Sequence, residues 1–196
     1  MTSKIFLSVF FAASLLIAGC SESTTNSTSN SAAKTATTPV SIDVISAGAK
    51  GFTVGSAMSA RTVYVFFDAQ CPHCSRLWEA STPLHRKVKF VWIPVGLINN
   101  SSTTQGAALL TAANPVALMT EHEKSLLSGG GGISASSSVA SEITQAIKGN
   151  TKILNSFGAE SVPFIVANNF KTGQLVRQEG AMSTDALATF LGLEFP

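Results

Sequence analysis

Apolar positions along the chain fall into blocks of two kinds. Thr62 to Ala69, TVYVFFDA, is β-branched and aromatic with almost no polar break, the pattern of a strand buried on both faces. Pro72 follows closely, and its fixed φ suits a first helical position. Beyond it Leu77, Ala80 or Ser81, and Leu84 share one stripe, which predicts an amphipathic helix interrupted or kinked near Pro83. Lys89 to Leu97, KFVWIPVGL, reads as the next strand, parallel to the first with the helix as crossover. Ala107–Ala113 and Pro115–Leu127 read as two helices, and Ser128–Ser138 as a flexible loop. Val139–Ile147 and Thr151–Phe157 read as helical, broken near Gly149. Phe164–Ala167 is an apolar strand headed by Val162-Pro163, where a proline is tolerated. GQLVRQEGA is the last strand, and Ser183 caps a final helix that stops at Gly192. Upstream, SIDVIS and GFTVGS can supply a strand or two. The order of elements is that of an α/β domain.

The first forty residues do not fit this scheme. Lys4 precedes an apolar run, Ile5 to Gly19, that is short for a spanning helix and typical of a secretory signal. It ends in Leu16-Ile17-Ala18-Gly19-Cys20, where small residues immediately before a cysteine resemble a bacterial lipobox. That resemblance implies a signal over 1–19, cleavage before Cys20, and lipid on its amine and thiol. The alternative is an ordinary signal peptide or uncleaved anchor that happens to end in cysteine. Ser21, by the same resemblance, does not hold a lipoprotein at the inner membrane, so an outer-membrane location is open. Ser21 to Pro39 is Ser/Thr/Asn-rich and cannot offset its ordering entropy by burial. It reads as a disordered tether over 20–40, with a root-mean-square reach of about 25 Å. The mature chain is expected in the periplasm, held to a membrane by its lipid. Charged residues make up only 12%, and the net charge is +2, so no broad basic field for nucleic acid is present.

With Cys20 set aside, two cysteines remain, Cys71 and Cys74, in FFDAQCPHC. Outside the cytosol such a pair is a bridge, a metal half-site or a redox couple. A structural zinc site needs four ligands, and His85 and His122 show no paired spacing. No metal is therefore expected. A bridge across two residues closes almost no loop and restrains the unfolded chain little. The redox reading has a physical basis: Cys71 falls at the N-cap of a helix, where unpaired N–H groups and the dipole stabilise a thiolate. A protonated or hydrogen-bonding His73 would lower its pKa further. Cys74, one turn in, is expected to be more buried and to resolve a mixed disulfide formed at Cys71.

FFDAQCPHC, VWIPVGLI and FGAESVPFIV, in that order, resemble the catalytic domain of the periplasmic DsbC/DsbG proteins, nearest to DsbG. The resemblance covers about Arg61 to Leu193, and the TTQGAALL…LLSGG segment resembles that group's helical insertion, about 101–158. It implies a thioredoxin-like fold over 61–196, preceded by a short strand segment over 41–60. It implies a thiol–disulfide oxidoreductase with Cys71 as nucleophile, Cys74 as resolving thiol and Pro72-His73 as the tuning pair. Pro163 would be cis beside the pair, and Val162 would pair its backbone with substrate. No cofactor beyond a Cys71–Cys74 disulfide is implied. The partners implied are cysteine-containing extracytoplasmic proteins and a membrane redox partner, DsbD-like for a reductase or isomerase, DsbB-like for an oxidase. Reduction of a cysteine sulfenic acid belongs to the same set of expectations, and a non-enzymatic chaperone lipoprotein is the distant alternative.

Three departures stand against the resemblance. Val40 to Ala60 is too short for the N-terminal dimerisation domain of that group. The Pro-His dipeptide and the valine before the proline are those of DsbA-type oxidases. In agreement with the resemblance, Val65 occupies the place, six before the first cysteine, where thioredoxin and DsbA carry a buried acid and DsbC/DsbG do not. Asp68 fits both a strand-end carboxylate and a proton relay. His122, in TEHEK, reads as solvated helix surface, and His85 to Lys89 as cations complementing a helix C-terminus. Trp78 and Trp92 read as core or groove edge.

Overall fold

The computed structural model describes residues 37–194. The signal segment, Cys20 and the tether up to Ala36 lie outside the described residues. Among those described, no helix is long and apolar enough to cross a membrane.

Five strands form one mixed sheet in the order β1-β3-β2-β4-β5. They are β1 (Phe52–Gly55), β2 (Thr62–Asp68), β3 (Lys89–Val95), β4 (Phe164–Asn168) and β5 (Leu175–Glu179). β2 and β3 are parallel, in register Val65 to Trp92; every other pairing is antiparallel. Helix α2 (Pro72–Ser81) makes the crossover, as the sequence predicts, and passes into a 3-10 turn at Thr82–Leu84 because Pro83 cannot continue the helix. The other helices are α1 (Ile42–Gly48), α3 (Asn100–Thr111), α4 (Pro115–Leu127), α5 (Ser141–Ser156) and α6 (Thr184–Leu191).

The sheet is buried on both faces, so its central strands read as near-continuous apolar runs. Val63, Val65 and Phe67 of β2 face a core that includes Leu77, Trp78, Trp92, Leu187 and Leu191. Phe66 faces the opposite core with Ile45, Ile93, Leu154 and Phe164. Phe66 pairs with Phe164 across β2 and β4, their rings 6.3 Å apart. Trp92 stacks edge-on against both Phe67 and Trp78.

Four expectations are corrected. SIDVIS is helix rather than strand: the Ser41 hydroxyl caps it at Val44 N–H, Asp43 lies in its first turn, and only Ile45 is buried. α3 starts at Asn100, well before Ala107, because Asn99 and Ser102 form a reciprocal capping box. α5 runs unbroken through Gly149. A buried stripe of Ile147, Asn150 and Leu154 holds that helix to its neighbours and outweighs one glycine's propensity cost. The Ser128–Ser138 segment is tied down at several points, described below. The DsbC-type dimerisation segment has no counterpart in 37–60, which instead packs onto the domain. The Asn150 amide donates to the Lys50 and Pro94 carbonyls and accepts from Lys50 N–H, at 2.8 to 2.9 Å.

Candidate active site

The site forms where β2 hands over to α2. Cys71 is the N-cap, with extended backbone (φ −98°, ψ 110°), and Pro72 opens the helix. The turn is closed by Cys71 N–H donating to Asp68 O at 3.0 Å and Cys74 N–H donating to Cys71 O at 2.9 Å. Both thiols are free; Cys71 is 5% exposed and Cys74 fully buried.

Cys71 is held down to about 7. The largest cause is a hydrogen bond from the Cys74 thiol; burial opposes it, and the N–H groups of Cys74 and His73 reinforce it. Cys74 is pushed well above the ordinary thiol range, first by burial and then by its bond to Cys71. The two sulfurs are thus split into one that ionises near neutrality and one that keeps its proton. His73 acts on Cys71 through its backbone. Its exposed ring is turned away, with Nδ1 accepting from Arg76 at 3.2 Å.

The Val162–Pro163 bond is cis, and the Cys71 thiol donates to the Val162 carbonyl at 3.4 Å. The sequence motifs 91 residues apart therefore meet at one sulfur. A shallow groove continues from His73 and Arg76 to Ala181 and Met182.

Asp68 serves the strand end. Its Oδ1 accepts from Gln70 N–H at 2.8 Å, and its Oδ2 from Leu97 N–H at 2.7 Å and Ile98 N–H at 3.1 Å. It fixes the loop after β3, and its charge works against ionisation of Cys71. Gln70, next to Cys71, donates to Gly131 O at 3.0 Å and to the Gln105 side chain, and Gln105 donates to Gly131 O and Ile133 O. The glycine loop is thereby fastened to the rim of the site.

His122 is wholly buried rather than solvated, which corrects the sequence reading. Its Nε2–H donates to Ala69 O at 2.6 Å, and its Nδ1 accepts from Ile133 N–H at 3.1 Å. Beside it Glu123 is also buried, with Oε2 accepting from Ser75 Oγ. Helix α4 thus sends two ionisable groups inward against the cysteine turn, and sequence reasoning missed both. The usable signal was the small, hydroxyl-bearing Ser75 on the inner face of α2. His85 is likewise half-buried between the Trp78 and Phe90 rings, and burial lowers its pKa, so it is not the helix-end cation the sequence suggested.

No family model matches the chain. Thiol:disulfide interchange protein DsbG of Pseudomonas aeruginosa is 31% identical over 140 residues, 70% of this chain and 54% of that protein. The chain is DsbG-like, with a thioredoxin-like fold. DsbG of Escherichia coli is 30% identical over 105 residues, 53% of this DsbG-like chain and 42% of that protein. The chain spans about half the length of the curated relatives it matches. Among solved structures, a periplasmic thioredoxin-like protein from Salmonella enterica serovar Typhimurium superposes with a TM-score of 0.61 at 17% identity, covering 79% of this DsbG-like chain and 97% of that one.

Proposed function

We propose that the chain is an extracytoplasmic thiol–disulfide oxidoreductase acting on cysteine-containing proteins. The observation that carries this reading is the division of labour between the two sulfurs: Cys71 ionises at about 7, and Cys74 lies buried behind it with its proton retained. The Cys71 thiolate attacks a substrate disulfide, forming a mixed disulfide and releasing one substrate thiolate. Cys74 then attacks Cys71 Sγ, the Cys71–Cys74 bond forms, and the second substrate thiolate leaves. The Cys74 thiol, reinforced by the N–H groups of Cys74 and His73, sets the ionisation of Cys71, and Pro72 opens the helix that presents them. The Val162 backbone and the groove toward Met182 offer an extended substrate its place, with Pro163 shaping the approach.

A thiol at about 7 stabilises the reduced form modestly, unlike the about 3.5 of a strong oxidant such as DsbA. This supports the reductase or isomerase direction, with a DsbD-like membrane partner returning the pair to dithiol. Lipidation at Cys20 would hold the domain at the periplasmic face of a membrane.

The test is a Cys74→Ser variant expressed with its signal intact. Mixed disulfides through Cys71 should accumulate, and mass spectrometry should identify periplasmic proteins in them. Absence of any such adduct, with Cys71 fully alkylatable, would remove this function. A pair found resting as disulfide in cells would reverse the direction to dithiol oxidation.

A further inference from the structure

Resolution by Cys74 has a proton problem. The attacking thiol is fully buried and its pKa is raised, so it cannot shed its proton to water where it sits. A group within the protein must take it. Val65 occupies a buried place on β2 and has no polar atom to offer. Asp68 is committed to three backbone N–H groups.

One carboxylate is uncommitted. Glu123 is 1% exposed, yet only its Oε2 is used, by Ser75 Oγ; Oε1 is buried with no hydrogen-bond partner. A buried, half-satisfied carboxylate costs stability, and a role in the chemistry would explain why that cost is kept. Ser75 directly follows Cys74, so this carboxyl group lies against the same turn of α2. We propose that Glu123 is the proton-holding residue of the cycle: its carboxylate takes the Cys74 proton as that thiol attacks the mixed disulfide on Cys71, and gives it back when the pair is reduced. The inference rests on the exchange function proposed above.

The step balances. Cys74 Sγ bonds to Cys71 Sγ, the Cys71–substrate bond breaks, and the substrate leaves as a thiolate. The two protein sulfurs are oxidised together by the two electrons the substrate disulfide gains. The proton moves to Glu123 and stays there until the pair is reduced.

The surrounding charges time the transfer. Besides burial, the groups that act on Glu123 are the Ser75 hydroxyl, which favours its charged form, and the charges of Cys71 at the N-cap of α2 and Glu79 within it, which oppose that form; Glu123 in turn acts on Cys74, and α3, which also packs on α4, carries no ionisable side chain. Burial, above all, raises Glu123 to about 8, and the Cys71 thiolate raises it too. Once Cys71 is tied up in a mixed disulfide it bears no charge. Glu123 then ionises more readily, at the moment a base is needed.

The test uses the full domain and glutathione disulfide, with acid quenching and mass spectrometry to follow two phases. The first forms the Cys71–glutathione adduct; the second resolves it. In Glu123→Gln the first phase should stay within about twofold, while the second slows about 100-fold at neutral pH, the lower range for a general base. The wild-type second phase should rise through a midpoint below about 8, and the variant should lose that midpoint. An unchanged second phase in rate and pH profile would overturn the role of Glu123 and leave the exchange function standing. A wild type that forms no adduct at all would fail both. Should Glu123→Gln not fold, Ser75→Ala decides the matter. Loss of the hydroxyl that favours the carboxylate should move the midpoint to higher pH, and an unmoved midpoint would overturn the assignment.

Discussion

The balance at Cys71 is set by few atoms, so single substitutions should move it in known directions. Asp68 is a nearby charge that disfavours the thiolate. Asp68→Asn should therefore lower the Cys71 midpoint below about 7, read by thiolate absorbance in the ultraviolet against a Cys71→Ser blank. The same change disturbs three backbone hydrogen bonds and should cost about 2 kcal/mol in denaturant unfolding. A midpoint that rises instead would mean that fixing the loop at Leu97 matters more than charge. His73→Ala should shift the midpoint little, because the ring points to Arg76 and only the backbone N–H faces the sulfur. Little of this was legible in the sequence. Cys71, Pro72 and Cys74 declare themselves by spacing. The inward turn of His122 and Glu123 does not, since a Glu-His-Glu run on a helix looks solvated until α2 and the glycine loop close over it.

Among the elements, the strands were plain because both faces of the sheet are covered and their apolar runs have no other use. The helices were less plain where one side chain decided their limits. Gly149 sits inside α5 with open space around its Cα, so Gly149→Ala should stabilise the domain by about 0.5–1 kcal/mol in thermal or urea unfolding. Gly132 is the opposite case. Its φ is +88°, and a Cβ there would collide with the His122 ring, so Gly132→Ala should cost about 2 kcal/mol or more. It should also loosen the latch at Gln70 and Gln105, visible as faster amide exchange at Ile133, whose N–H is held by His122. Serine, glycine and alanine in that segment suggested mobility. What the composition could not show is that the carbonyls of Gly131 and Ile133 are the partners of a buried glutamine.

For the molecule as a whole, buried ionisable groups shape stability against pH, and their signs oppose. Burial holds His122 and His85 below the ordinary histidine value of 6.5, so the unfolded chain binds protons first as pH falls. That contribution is complete above 6.5 and is lost toward acid. Glu123 titrates at about 8 in the fold against 4.5 unfolded, so its contribution is complete below 4.5 and is lost as pH rises to about 8. Glu123→Gln should accordingly match the wild type near pH 4 and gain on it steadily toward pH 8, as midpoints in urea would record; parallel curves would mean the carboxylate is not protonated in the native state. The segment before the first central strand belongs to the same whole. Asn150 clasps Lys50 on both of its backbone atoms, and Ile45, Phe52 and Val54 seal the two sides of the sheet. A protease cut between Gly55 and Thr62, followed by loss of the leading piece, would strip the hem from this garment: the amide would keep only its Pro94 stitch, and the Phe67 ring would lose the Phe52 edge that covers it.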